Sequence, residues 1–284
     1  MPALLDALSA PAPVVLAPTG MVPTRAMTPH VPLTPAEVAA DVAACWEIGI
    51  TSVHLHARDE EGLPTWRRDV YERLVGAVRD RTPDVLINVS TSGRTWSELE
   101  RRADVLALAG DLAPDIASLT PSSLNFLTSA SVNDPSVVRG LATIMRDRGI
   151  VPEFEIFDLG MLNVMKRLIA EGLAGEPVLV NLFFGNLAGL QPTALEVGVA
   201  IERLPHGAIW SGGGLGDYQG AAQLLAVAAG GGVRTGLEDS IHPHGTRETL
   251  ATNPGLVEQV HRMLTAARRD VMPSATLRER LAAA

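Results

Sequence analysis

This 284-residue chain has one cysteine, Cys45. That excludes an internal disulfide and any cysteine-rich zinc cluster, and its place in an apolar helical stretch reads as a small core residue. Aromatic residues make up only 4%. The formal charge is −9, from 23 basic and 32 acidic residues. Without a Lys/Arg run or basic–aromatic interleaving, nucleic acid is not an expected partner. No window of about 18 apolar residues is available to cross a membrane. Residues 1–13 lack the basic region of a signal peptide, so a cytoplasmic protein without a membrane partner is expected. Internal repeats and low-complexity linkers are also absent, which leaves no marked domain boundary.

What is present is aliphatic. Hydrophobic residues are 46% of the chain and charged ones 19%, with Ala, Val and Leu dominant. This suits parallel strands buried under helices. Strands are predicted at 14–17, 51–58, 84–90, 115–119, 151–157, 178–184, 208–212 and 232–238. Helices are predicted at 35–48, 66–80, 97–108, 135–148, 160–171, from Thr193, at 218–229 and at 253–267. Thr34-Pro-Ala-Glu37 is a capping box with proline at the first helical position, and Thr193 with Glu196 reads as another. Asn253-Pro254 reads as the cap of the last of these helices. Eight strand-then-helix units in about 250 residues have the rhythm of an α/β fold, a (β/α)8 TIM barrel. It is expected as a single domain over residues 1–284, with a short N-terminal extension and a C-terminal helical tail. A doubly wound sheet would need an early phosphate loop, and Pro18-Thr-Gly20 is no G-x-G-x-x-G. The Pro-rich loop after the first strand, about 15 residues long, is too long for a mere connection and is expected to cover something.

Chemistry collects in Thr51-Ser-Val-His-Leu-His-Ala-Arg58. On a strand, Val53, Leu55 and Ala57 share one face; Ser52, His54, His56 and Arg58 share the other. Side chains at i and i+2 start about 6–7 Å apart, so both imidazoles can converge on one ion. A hydrogen-bonded pair of core histidines is the alternative. Other polar residues map to the C-terminal strand ends, where a barrel of this kind carries its site: Ser90, Ser118, Glu155, Asn181 and Glu238-Asp239. In the last strand's register, Gly232, Arg234, Gly236 and Glu238 share a face, so Glu238 can reach an ion held by the histidines. Two His and one carboxylate with an open position suit catalytic zinc. Arg234 and Asp239 could instead be a structural ion pair, and Glu155 could pair with Arg234 and do nothing more. The glycines at 212–216, Gly214 among them, could admit a phosphate or simply turn tightly. His242 and His244 read as rim residues.

Pro18-Thr-Gly20, Leu33-Thr-Pro-Ala-Glu37, His54-Leu-His56-Ala-Arg58, Ser90-Thr91, Pro152-Glu-Phe-Glu155 with Gly160-Met161, and Val233-Arg-Thr-Gly-Leu-Glu-Asp239 resemble the β-keto acid cleavage enzyme family. The match runs in order over nearly the whole chain. The resemblance implies a zinc-dependent transferase, usually tetrameric, that condenses a β-keto acid with acetyl-CoA to give acetoacetate and a new acyl-CoA. It implies His54, His56 and Glu238 as zinc ligands and Arg234 with Asp239 as a catalytic dyad. Ser90 and Glu155 would line the site, and Ser118, Arg58, Asn181 and Gly214 would lie with the substrate. CoA phosphates would meet backbone amides near Gly185 and 212–216. Val22 stands where lysine-cleavage members have a glutamate that holds the substrate's amino group. A metal-dependent hydrolase of the amidohydrolase kind, or a metal-stabilised binding protein, would be the competing classes.

Overall fold

The computed structural model describes residues 8–243 and 247–282. Eight parallel strands close into a barrel: β1 (Val14–Leu16), β2 (Ser52–Leu55), β3 (Leu86–Val89), β4 (Ile116–Leu119), β7 (Val151–Ile156), β8 (Leu179–Phe184), β9 (Ile209–Gly214) and β10 (Gly232–Thr235). Between β4 and β7 a small antiparallel hairpin, β5 (Leu124–Asn125) with β6 (Ala130–Ser131), projects from the C-terminal mouth. The expected barrel is therefore observed. Among the described residues, no helix is long and apolar enough to cross a membrane.

The helices are α1 (Pro35–Ile48), α2 (Arg68–Arg81), α3 (Leu99–Ala103), α4 (Pro135–Asp147), α5 (Leu159–Ala170), α6 (Ala194–Glu202), α7 (Gln219–Ala228), α8 (Asn253–Ala266) and α9 (Ser274–Ala282). The capping box at α1 is complete: Thr34 Oγ1 accepts from the Glu37 amide, and the Glu37 carboxylate accepts from the Thr34 amide. At α6 only half of the expected box forms. Thr193 accepts from the Glu196 amide, but the Glu196 carboxylate turns back to the Gln191 amide at 2.7 Å. The helix expected at 97–108 is short and continues as a 3₁₀ turn over Asp104–Ala107.

Alternation along each strand divides the core. Val53, Leu55, Ile87, Val89, Ala117, Leu119, Phe154, Ile156, Val180 and Val233 face outward into the layer packed under the helices. The opposite residues fill the barrel in tiers. Leu86, Ile116, Leu179 and Ile209 make an apolar floor, closed from below by Met272, Leu277 and Leu281 of the C-terminal tail. Hydrogen bonds from Thr51 Oγ1 to Met272 O (2.7 Å) and from Ser274 Oγ to Thr51 O (2.5 Å) fasten the tail there.

Above the floor the interior turns polar. Buried Glu153 accepts from Asn88 Nδ2 at 2.8 Å and Asn181 Nδ2 at 3.3 Å. A buried carboxylate requires such donors.

The last strand ends at Thr235, earlier than the alternation suggested, and Glu238 reaches the mouth through a turn. Gly236 has φ +146, and a Cβ there would stand 2.0 Å from the Ala17 carbonyl oxygen. Only glycine fits. The turn is held by Glu238 N to Ala17 O (3.2 Å), Leu237 N to Asn253 Oδ1 (2.9 Å) and Gly216 N to Asp239 O (2.7 Å). Asn253, read from sequence as a cap, is instead the first residue of α8. Thr252 caps the helix, and buried Asn253 clips this turn to Pro18 O at 3.0 Å. We expect Gly236→Ala to destabilise the fold by at least about 1–3 kcal/mol, the usual cost of such backbone strain. A urea midpoint at the wild-type value would show that the turn tolerates a side chain.

Candidate active site and metal centre

At the C-terminal mouth the two ends of the chain meet. His54 and His56 project inward from the end of β2, and their Nε2 atoms stand 3.0 Å apart. Glu238 Oε1 lies 3.3 Å from His56 Nε2 and 2.7 Å from a terminal nitrogen of Arg234. His54, His56 and Glu238 can each aim one ligand atom at a common point. Tetrahedral coordination with bonds of about 2.0–2.1 Å puts ligand atoms about 3.3 Å apart, close to the separations seen. Glu238 Oε2 and His54 Nδ1 are buried with no hydrogen-bond partner. This donor set fits a divalent cation with an open position, and its chemistry suits zinc.

Arg234 organises the acidic side. It is 1% exposed and binds Asp239 through Nε at 2.9 Å and through a terminal nitrogen at 3.3 Å, while also holding Glu238. Its remaining terminal nitrogen, Nη1, is buried and unpartnered. The neighbouring carboxylates are driven apart electrostatically. Burial opposes ionisation of Glu238, but Arg234, with His56 beside it, outweighs it and holds the carboxyl well below its usual range. Burial pushes Asp239 up to about 6, against Arg234 and with Glu238. Burial likewise keeps the His54 imidazole well below its usual range, leaving it neutral as a metal ligand must be. Glu153, beneath, is pushed by burial up to about 7.

A cavity of about 90 Å³ opens on these groups. Of the residues expected from sequence, His56, Ser90, Glu155, Arg234, Glu238 and Asp239 line it. Met21 and Val22 do too, so the long loop after β1 does cover the site. His54, fully buried beside His56, does not line it, and four other expected residues lie elsewhere. Ser118 is one tier down, with its hydroxyl accepting from the Thr91 amide at 3.3 Å. Two positions later, Thr120 reaches the cavity and donates to Glu155 Oε2 at 2.8 Å. Thr120 was overlooked because β4 ends at Leu119, although it shares Ser118's face by alternation. Asn181 belongs to the Glu153 network below.

Arg58 donates to Gly20 O (3.0 and 2.7 Å), Pro23 O (3.1 Å) and Gly62 O (3.0 Å), which fixes the covering loop. A Cβ on Gly20 (φ +63) would touch the Glu238 side chain at 2.4 Å, so Arg58 braces the loop against the third ligand. Gly212 and Gly214 are required by packing. A Cβ on Gly214 would meet Tyr218 O at 2.4 Å, and one on Gly212 would meet Ala226 Cβ at 2.6 Å. The amides of Gly185 and Gly216 are already bound to Leu190 O and Asp239 O, so they form no open phosphate cradle. His242 lies on the rim, with Nδ1 3.0 Å from Thr249 O. His244 lies outside the described residues.

A parallel barrel with paired imidazoles on its second strand and a glutamate after its last strand defines a class of barrel with a candidate metal centre. The chain belongs to the β-keto acid cleavage enzyme family, whose model matches residues 11–282. It is therefore an enzyme. It is 33% identical over 258 residues to the 3-oxoadipate:acetyl-CoA acetyltransferase of Cupriavidus necator (89% of this chain, 88% of the relative). It is 30% identical over 251 residues to the 3-keto-5-aminohexanoate cleavage enzyme of Fusobacterium nucleatum subsp. nucleatum (87% and 89%). It is also 32% identical over 260 residues to the 3-dehydrocarnitine:acetyl-CoA trimethylamine transferase of Rhizobium meliloti (85% and 86%). The apo structure of ObcA shares the fold, with a TM-score of 0.77 at 21% identity over 89% of this chain and 66% of that one. The amidohydrolase alternative falls with the family match. His30 and His206 are exposed, and His261 lies 2.8 Å from Gly49 O, away from the site.

The arrangement predicts about one divalent ion per chain. His54→Ala and His56→Ala should abolish it in metal analysis of the dialysed protein. Arg58→Ala should weaken it about 10–100-fold, as loss of an outer support does. A histidine variant that kept its full metal content would remove these side chains from the site.

Proposed function

We propose that the protein condenses a β-keto acid with acetyl-CoA and releases acetoacetate and a new acyl-CoA, with zinc held by His54, His56 and Glu238. The observation that carries this reading is the single guanidinium, Arg234, shared between a candidate metal ligand and a second carboxylate inside one cavity. The curated relatives include acetyl-CoA transferases acting on keto acids, which supports the same co-substrate here.

A bound divalent ion would supply Lewis acidity to a chelated keto group, lowering the barrier to removing a proton from the carbon beside it. The residues do the rest. Asp239 is the base for that proton, its carboxylate held in place by two N–H groups of Arg234. The free Arg234 Nη1 donates to a substrate oxygen that gains charge. Ser90, at the end of β3, and Thr120 offer hydroxyls from the opposite wall, and Glu155 fixes the Thr120 hydroxyl.

Val22, 46% exposed on the covering loop, lines the same cavity. A carboxylate at this position would pair with a substrate ammonium; valine leaves it unpaired. The 5-amino keto acid is accordingly not this protein's substrate.

The test is a panel of β-keto acids assayed with acetyl-CoA for acetoacetate, with and without chelator. Acetoacetate should form from at least one acid and stop on metal removal, and its absence from every member would overturn the reading. Asp239→Asn should lower kcat by about 10²–10⁴-fold, the usual worth of a positioned base, with metal content retained. Turnover of the 5-amino acid as fast as any other would reverse the inference from Val22.

A further inference from the structure

The cavity has two cationic ends, and they differ. At one, Arg234 is neutralised by Glu238 and Asp239. At the other stands Arg94, half-buried in the loop after β3. Its guanidinium lies 4.2 Å over the Phe126 ring, and its Nε donates to Ser129 Oγ at 3.4 Å. Among the described residues it enters no ion pair with a carboxylate. Burial acts against its charge; the opposing anion is Glu238, which Arg234 already holds.

Arg94 is also fixed in place. The preceding glycine, Gly93, accepts from the Val132 amide at 3.3 Å, and a Cβ there would meet Val132 O at 2.5 Å. Buried Arg102 ties the same loop to Thr91 O and to Asn133 Oδ1, each at 2.8 Å. The loop is thus fastened to the chain beside the β5–β6 hairpin. A preorganised, uncompensated cation in a cavity wall is a site for an anion.

The wall between the two ends is apolar and continuous. Phe126 meets Phe157 edge-on at 5.7 Å, Phe157 stacks on Phe183 at 4.5 Å, and Arg234 lies 4.8 Å over Phe183. A ligand reacting beside Asp239 would run its carbon chain along these rings toward Arg94. We infer that Arg94 sets the substrate class: a β-keto acid carrying a second carboxylate at its far end, a keto diacid. This rests on the proposed keto acid chemistry of the cavity. A CoA phosphate is the rival ligand for Arg94, and the dependence of the acetyl-CoA KM on this residue separates the two.

The test separates binding from turnover. Dissociation constants are measured by calorimetry on the purified protein with a non-reactive 3-hydroxy diacid and its distal half-ester, over several chain lengths. Wild-type protein should bind the best diacid at least about tenfold more tightly than its half-ester, since a charge-assisted contact is worth about 1.5–3 kcal/mol. Arg94→Met keeps the packing over Phe126 without the charge and should bring the ratio near one; Arg94→Lys should restore part of it. No diacid preference in the wild type overturns the inference, whether or not any variant folds. So does a ratio that survives Arg94→Met. An acetyl-CoA KM raised alike with every acid would place a CoA phosphate on Arg94 and also overturn it. Acetoacetate formed equally from diacids and half-esters defeats this inference and leaves the proposed reaction standing. A diacid preference in binding without acetoacetate from any acid defeats the reaction and leaves Arg94's role intact.

Discussion

The site depends on a guanidinium sealed inside a protein. Arg234 is among the largest fully buried side chains, and an unpaired charge at that depth would be prohibitive. It is held by two carboxylates that approach from one turn, and its attraction in turn fixes where both lie. Removing either partner would strand charge, a loss of about 3–5 kcal/mol for a buried pair. The geometry around the histidines and the geometry around Asp239 are therefore not independent. They share one cation.

That constraint explains why the molecule is built differently at its two ends. The N-terminal end of the barrel is an apolar floor plugged by the C-terminal tail, where burial of Leu277 and Leu281 contributes stability and carries no chemistry. The upper tiers replace that apolar packing with Asn88, Glu153, Asn181 and the histidines, a polar interior that must satisfy nearly every group to be tolerated. Among the described residues, the buried side-chain atoms left unsatisfied gather at the candidate site: Glu238 Oε2, His54 Nδ1 and Arg234 Nη1, with the amide oxygens of Asn88 and Asn181 in the tier below. Groups left wanting partners in an otherwise satisfied interior are where a protein prepares to hold something else.

Much of this was legible because strands alternate with period two. His54 and His56 could be placed on one inner face, with Val53 and Leu55 outward, from spacing alone. The same rule failed at Glu238. It assumed that β10 continued through Gly236, whereas the strand stops and a left-handed glycine delivers the carboxylate by a turn. Glu238 stands beside the histidines by way of that turn, not by the strand alternation. Thr120 was lost to the same difficulty in reverse, since the face was readable and the end of β4 was not. Arg58 was placed on the histidine face, but its long side chain reached back to three carbonyl oxygens of the covering and following loops. Asn253 carried no signal beyond that of an ordinary cap, because it clips the turn at Leu237 to Pro18, which lies 235 residues away in sequence. The glycines at 212–216 show the same limit. A phosphate loop and a strand pressed against a helix both demand small residues, and only the packed helix α7 decides between them.

The sharing of Arg234 has a consequence for how metal and substrate chemistry are joined. Glu238 is drawn one way by His56 and its cation site and the other way by Arg234, at 3.3 and 2.7 Å respectively. A bound cation would draw on the carboxylate that Arg234 also holds through Oε1, with Oε2 free to meet it. Arg234 in turn positions Asp239 through two N–H groups and keeps Nη1 free for a substrate oxygen. Metal binding and the placement of Asp239 would be linked through that one side chain. The frame around them is a glycine turn hydrogen-bonded to β1 and clipped by Asn253, so both carboxylates are presented to Arg234 from one fixed backbone.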